Sequence, residues 1–136
     1  MNLTPRHQNT KFDSNLEFIA QKVVDTAVKL HMQLGPGLLE SVYESVLAKR
    51  LEKLGFKIER QKPIPIMVDD LKFDEGFRAD LVVNQCFVVE LKSVEHLAPV
   101  HSKQLLTYLR LLNHRLGLLI NFGAPILKNG LKRIAN

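Results

Sequence analysis

The sequence predicts an α/β fold, or its α+β variant, built on a mixed central sheet. Three observations carry that prediction. Apolar residues recur at helical spacing in two stretches that are split by "GPG", Gly35 to Gly37. Two β-rich runs, "FRADLVV" and "CFVVELK", are separated by Asn84 and Gln85, which is a hairpin signal. From Phe87 to Phe122 the pattern then reads strand, helix, strand, and such a crossover favours a parallel pair covered by a helix.

The elements follow in order. Ser14 and Glu17 form a capping-box pattern, and Ile19, Val23, Ala27, Leu30 and Leu34 follow it on one helical face. These predict a helix from about Asn15 to Leu34, after a flexible lead-in over residues 1–13. A second helix is predicted from about Leu38 to Leu54, with Leu39, Val42, Val46 or Leu47, Leu51 and Leu54 on its apolar side, and Gly55 at its end. "FKIER" alternates as a strand does. "IPIMV" follows, and its prolines suit an edge strand or a bulge. Asp69 and Asp70 make a turn, and "LKF" continues the sheet. A third helix is predicted from about Pro99 to Asn113, carrying Leu105, Leu106, Leu109 and Leu112. "LGLLINF" suits a buried strand, and "KNGLKRI" closes with a turn and a short segment.

The 136 residues, 46% of them hydrophobic, suit one domain with a real core, here residues 14–136. No apolar run is long enough to span a bilayer, and "MNLTPRHQNTK" has no signal-peptide core, so no membrane association is expected. The single cysteine, Cys86, cannot form an internal disulfide, which points to a reducing, cytoplasmic setting. It reads as a small buried hydrophobe. The net charge of +5 permits a nucleic-acid partner, but the lysines and arginines are spread along the chain.

The chemistry centres on "CFVVELKS". Residues two apart on a strand share a face, so Glu90 and Lys92 project together from an otherwise apolar strand. A charge placed there must be paired or bind a metal. Asp80 lies at the start of "LVV" in the preceding run. A three-residue hairpin loop, Asn84 to Cys86, sets Asp80 directly opposite Glu90, whereas a two-residue loop sets them on opposite faces. The same face is expected. Two carboxylates and a lysine at one strand end suit phosphodiester hydrolysis with Mg²⁺, while an ordinary ion pair is the competing explanation. Glu40, in the first turn of the second helix, is favourable with the helix dipole. Tyr43 and Glu44 share its side. Glu40 and Glu44 repel as like charges four apart, which a cation or a solvated face would relieve. Gln104 and Tyr108 project together from the third helix, as a polar stripe or as a pair aimed at a metal-bound water or phosphate. His96 and His101, near its start, read as surface or capping residues.

Asp80 with Glu90-Leu91-Lys92 resembles the core of the PD-(D/E)xK nuclease superfamily. Glu40 and the Gln104, Tyr108 pair resemble its exonuclease-type branch, which includes the RecB-like nucleases. Gly37, Glu40 and Tyr43 in "GLLESVYE" match the signature of the GxxExxY protein family. "FRADLVV", "VVELKSVEHL", "QLLTYLRLL" and "GLLINFG" resemble the rest of that family's pattern, over roughly Phe18 to Arg133. Ala79 stands where the superfamily name has proline.

The resemblance implies a restriction-endonuclease-like core of helix, three strands, helix and strand, with an extra N-terminal helix. It implies a metal-dependent nuclease, with Glu40, Asp80, Glu90 and the Leu91 carbonyl as ligands of Mg²⁺ (or Mn²⁺). Lys92 would be the catalytic lysine, supported by Gln104 and Tyr108. The substrate would be DNA, held by its backbone without sequence reading. A domain this small leaves room for a homodimer. The alternative is a non-catalytic nucleic-acid-binding or docking subunit of the same fold.

Overall fold

The computed structural model describes the backbone of residues 4–136 and the side chains of residues 15–136. Its first helix, α1, is Thr4–Leu34. It buries Leu16, Ile19, Ala20, Val23, Ala27 and Leu30, the expected stripe, while Leu34 at its end is exposed. The helical backbone passes through Ser14 rather than starting there. The Ser14 side chain, and with it the expected capping box, lies outside the described residues, as do residues 1–3.

The second helix, α2, is Glu40–Lys53 and is rotated from expectation. Leu39, Val42 and Leu54 are exposed, whereas Tyr43, Glu44, Leu47, Ala48 and Leu51 are buried. Tyr43 sets the rotation. Its ring stacks on Phe122 at 4.3 Å. Its hydroxyl donates to the Gly35 carbonyl at 2.5 Å and accepts from the Leu38 N–H at 3.2 Å. Gly55, at φ +99, ends the helix as expected. Its N–H reaches the Glu52 carbonyl and the Phe56 N–H reaches the Leu51 carbonyl, the paired bonds of a Schellman stop.

Five strands follow: β1 (Ile58–Val68), β2 (Leu71–Val83), β3 (Phe87–Lys92), β4 (Leu116–Asn121) and β5 (Leu131–Ala135). They lie in sequence order across one mixed sheet. β3 and β4 are parallel and every other neighbouring pair is antiparallel. The crossover helix α3 (Pro99–Leu112) joins β3 to β4 as expected, with Pro99 in its first turn and Asn113 left-handed at its end. A 3₁₀ turn, Leu127–Gly130, precedes β5. α1 and α2 pack on one face of the sheet, and α3 packs on the other. The two central strands are therefore covered on both sides, and all six residues of β4 are buried.

The long β1–β2 hairpin turns at Asp69 and Asp70, both left-handed, as a two-residue loop demands. Pro63 and Pro65 lie on edge strand β1. At Pro65 the ladder breaks: one β1 residue faces Asp74 to Gly76 on β2, so the register shifts by two residues. The β2–β3 loop is the three-residue one, Asn84 to Cys86, with Val83 paired to Phe87.

Val94, in the segment after β3, is held by one side chain. Buried Asn121, at the end of β4, accepts from the Val94 and Gly123 N–H groups, both at 3.0 Å, and donates to the Val94 carbonyl at 2.9 Å. Asn121→Ala orphans these groups. It is expected to cost about 2–4 kcal/mol in urea denaturation, and a loss under about 0.5 kcal/mol would contradict this anchoring role.

Candidate active site

β2 and β3 pair over only three rungs, ending at Leu81 and Val89. Asp80 and Glu90 occupy the next position, so they face each other where the strands part. Carboxylates replace the missing ladder bonds there. Glu90 Oε1 accepts from the Asp80 N–H at 3.1 Å, and Asp80 Oδ2 accepts from the Leu91 N–H at 2.8 Å. Each acid thus binds the other's strand.

The pairing has an electrostatic consequence. Glu90 is 9% exposed. Burial, and next the negative charge of Asp80, push its pKa up to about 8 from 4.5. The ammonium of Lys92, two residues on, opposes the shift without cancelling it. Tyr108 of α3 is half-buried and stacks on Phe77 at 4.0 Å. Burial, then the charges of Glu90 and Asp80, raise its pKa. Gln104 lies exposed one turn earlier on the same helix.

Glu40 stands apart from this pair. Among the described residues no three His, Cys, Asp or Glu side chains come together as a metal-binding group. Glu40 Oε2 instead accepts from the Ser93 N–H at 3.3 Å, and the Ser93 hydroxyl donates to the Leu38 carbonyl at 2.7 Å. These bonds tie the start of α2 to the end of β3, directly after Lys92. Glu40 and Ser93 line an open cavity of about 690 Å³ with the 36–39 turn, Glu95 and Gly123. Gly37 has φ +105, so the turn that presents Glu40 requires glycine there. Gly37, Glu40 and Tyr43 therefore act as one local device: a turn, the acid it presents, and the clamp that holds the turn.

Glu44 is not on a solvated face. It is buried, accepts from Arg60 Nε at 3.0 Å, lies in ion-pair contact with Nη2 of the same guanidinium, and accepts from the Gln61 amide. The same amide nitrogen donates to Asp80 Oδ1 at 3.1 Å. Gln61 is left-handed, at φ +47, in the middle of β1. A non-glycine residue there costs roughly 1–2 kcal/mol. None of Glu44, Arg60 and Gln61 stands out as functional in the sequence. The only signal is register: once Pro65 shifts the ladder, Gln61 falls between the pairs Arg60–Leu81 and Lys62–Ala79, across from Asp80. His101 accepts from the Ala98 N–H at 3.1 Å and so caps α3, and His96 is exposed beside Glu95.

A divalent cation fits this chemistry. Asp80 and Glu90 offer oxygen ligands suited to a hard ion, and a bound cation would offset the repulsion that raises Glu90. Without metal, the sign of the pH effect is fixed. Between about pH 4.5 and 8 folded Glu90 keeps a proton that the unfolded chain has released, so its contribution to stability falls as pH rises through that window. Glu90→Gln should melt like the wild type near pH 5 and above it near pH 8, in EDTA. Parallel melting curves across that range would contradict the buried-pair assignment.

The site therefore combines two facing carboxylates, a lysine two residues on, and a core of helix, three strands, helix and strand. Among the described residues no helix is long and apolar enough to cross a membrane. Comparisons with curated proteins and with solved structures give no significant match. The family model of the PD-(D/E)XK nuclease superfamily matches residues 17–134, which takes in every element from α1 to β5 that builds this site, and the chain belongs to that superfamily.

Proposed function

We propose that the protein is a divalent-metal-dependent nuclease that hydrolyses phosphodiester bonds in DNA. The observation that carries the proposal is the Asp80–Glu90 pair, facing across two strands with Lys92 on the same side of β3. Asp80, Glu90 and the Leu91 carbonyl would hold Mg²⁺ (or Mn²⁺), and Glu40 would add a further acidic ligand from α2. When bound, the ion lowers the pKa of water and offsets charge on the phosphoryl oxygens.

The chain's own residues supply the rest. Lys92 brings a positive charge to the pair and would stabilise the developing negative charge or orient the attacking water. The mutual backbone bonds of Asp80 and Glu90 fix both acids and would hold a metal against a reacting phosphate. Tyr108 is held by its stack on Phe77 and would support the pair from the α3 side. Gln104, exposed on that helix, would reach a phosphate or a water. Lys103 and Arg110 are exposed on α3 and suit contacts with a phosphate backbone, which carry no sequence information.

Gly37, Glu40 and Tyr43 support placing the protein in the GxxExxY group, on the RecB-like exonuclease-type branch. The free cysteine supports a cytoplasmic setting. A homodimer would extend the short surface available to a polynucleotide.

Purified protein should cleave labelled DNA with Mg²⁺ or Mn²⁺ and not with EDTA. Lys92→Ala and Glu90→Ala should each lower the rate by roughly 10²-fold or more. Cleavage that survives Lys92→Ala would refute this site. DNA binding without cleavage under any metal condition would favour the non-catalytic module.

A further inference from the structure

The left-handed residue in β1 does two things at once. Ile58 and Ile64 are six positions apart, so an unbroken strand would show both on one face. Ile58 packs instead with the α1/α2 cluster, and Ile64 packs with the α3 cluster. β2 changes faces at the matching place: Leu81 belongs to the first cluster and Ala79 to the second. The switch falls at Gln61 and Asp80, which lie across from each other. The backbone irregularity at Gln61 thus coincides with the position where Asp80 leaves the ladder with β3.

The side chain of Gln61 then occupies the gap between two acids. Its amide nitrogen donates to Glu44 Oε1 and to Asp80 Oδ1. A terminal amide is the neutral group that offers two N–H donors from one nitrogen, one for each carboxylate. Glutamate would offer none and would add charge. Glu44 is in turn fixed by Arg60. Asp80 is therefore held at both oxygens: Oδ1 by Gln61 and Oδ2 by the Leu91 N–H. The Gln61 bond is the one that ties Asp80 to α2, the helix that also presents Glu40.

We infer that Gln61 is a positioning residue for Asp80, coupling the acid pair to α2 through Glu44 and Arg60. It does not touch the reacting atoms. It sets the direction of Asp80 and spares that acid the repulsion of Glu44. The inference rests on the proposed metal-dependent nuclease reading, which it deepens by assigning the support of one acid.

Two variants test it, Gln61→Gly and Gln61→Glu. Glycine relieves the left-handed backbone while removing the amide, so the relief offsets the lost hydrogen bonds in part and the fold should melt near the wild-type temperature. Glutamate keeps the shape and replaces the donors with acceptors. Both should weaken Mn²⁺ binding in calorimetry at least about fivefold, and lower kcat on DNA at least about tenfold with KM little changed. Gln61→Gly with a normal melting temperature but wild-type Mn²⁺ affinity and kcat would overturn the inference. So would variants that lose stability alone, with Mn²⁺ affinity unchanged. Lys92→Ala separates the two levels. If it abolishes cleavage while both Gln61 variants behave as wild type, the nuclease assignment stands and the Gln61 role falls. If cleavage survives Lys92→Ala, the assignment of cleavage to this site falls, and Mn²⁺ affinity still judges Gln61.

Discussion

The reciprocal bonding of Asp80 and Glu90 is the constraint on which the rest of the site depends. Two like-charged groups on neighbouring strands would ordinarily drive those strands apart or turn out to solvent. Here each carboxylate accepts a backbone N–H from the opposite strand, so the acids close the ladder that their own departure from it opens. The bonds keep the pair together, and burial with mutual repulsion keeps Glu90 protonated well above the usual carboxylate range. The fold thus holds an arrangement that a hard cation would relax. On the α2 side Glu44, through Gln61, steadies Asp80, and on the α3 side the charges of the pair raise the pKa of Tyr108 after burial has done so.

The placement of the pair depends in turn on two irregularities in the outer hairpin. The Pro65 break shifts the register, and that shift carries Gln61 across from Asp80. The left-handed backbone at Gln61 then exchanges the faces of β1. A regular hairpin would satisfy its ladder better and would leave Asp80 without its second support. Backbone strain at one residue is small beside the orientation of a charged group in a low-dielectric setting.

Much of this was legible in the residues. The β2–β3 hairpin, the crossover through α3 and the buried β4 follow from turn chemistry and apolar patterning, which are local. The opposition of Asp80 and Glu90 depends on loop length, which the residues leave open between two and three and the backbone settles at three. What the pattern missed is tertiary. The apolar side of α2 was expected to include Leu39 and Val42, but the Tyr43 hydroxyl and ring fix the helix in another rotation. Neither a bound cation nor a solvated face accounts for Glu44, because Arg60 and Gln61, which pair it, lie sixteen and seventeen residues away. A dihedral sign is not written in the identity of a glutamine, so Gln61 gave no local signal. Glu40 fits the motif, yet its bond to Ser93 sets it beside the pair and not within it.

The most direct measurement is a crystal structure of the protein with Mn²⁺, with the ion located by its anomalous signal. One peak is expected at about 2.0–2.3 Å from oxygens of both Asp80 and Glu90, with the Leu91 carbonyl as a further ligand. Glu40 should move from the Ser93 N–H toward that ion. A peak elsewhere on the chain, or an Asp80–Glu90 pair unchanged and without an ion at millimolar Mn²⁺, would contradict this placement.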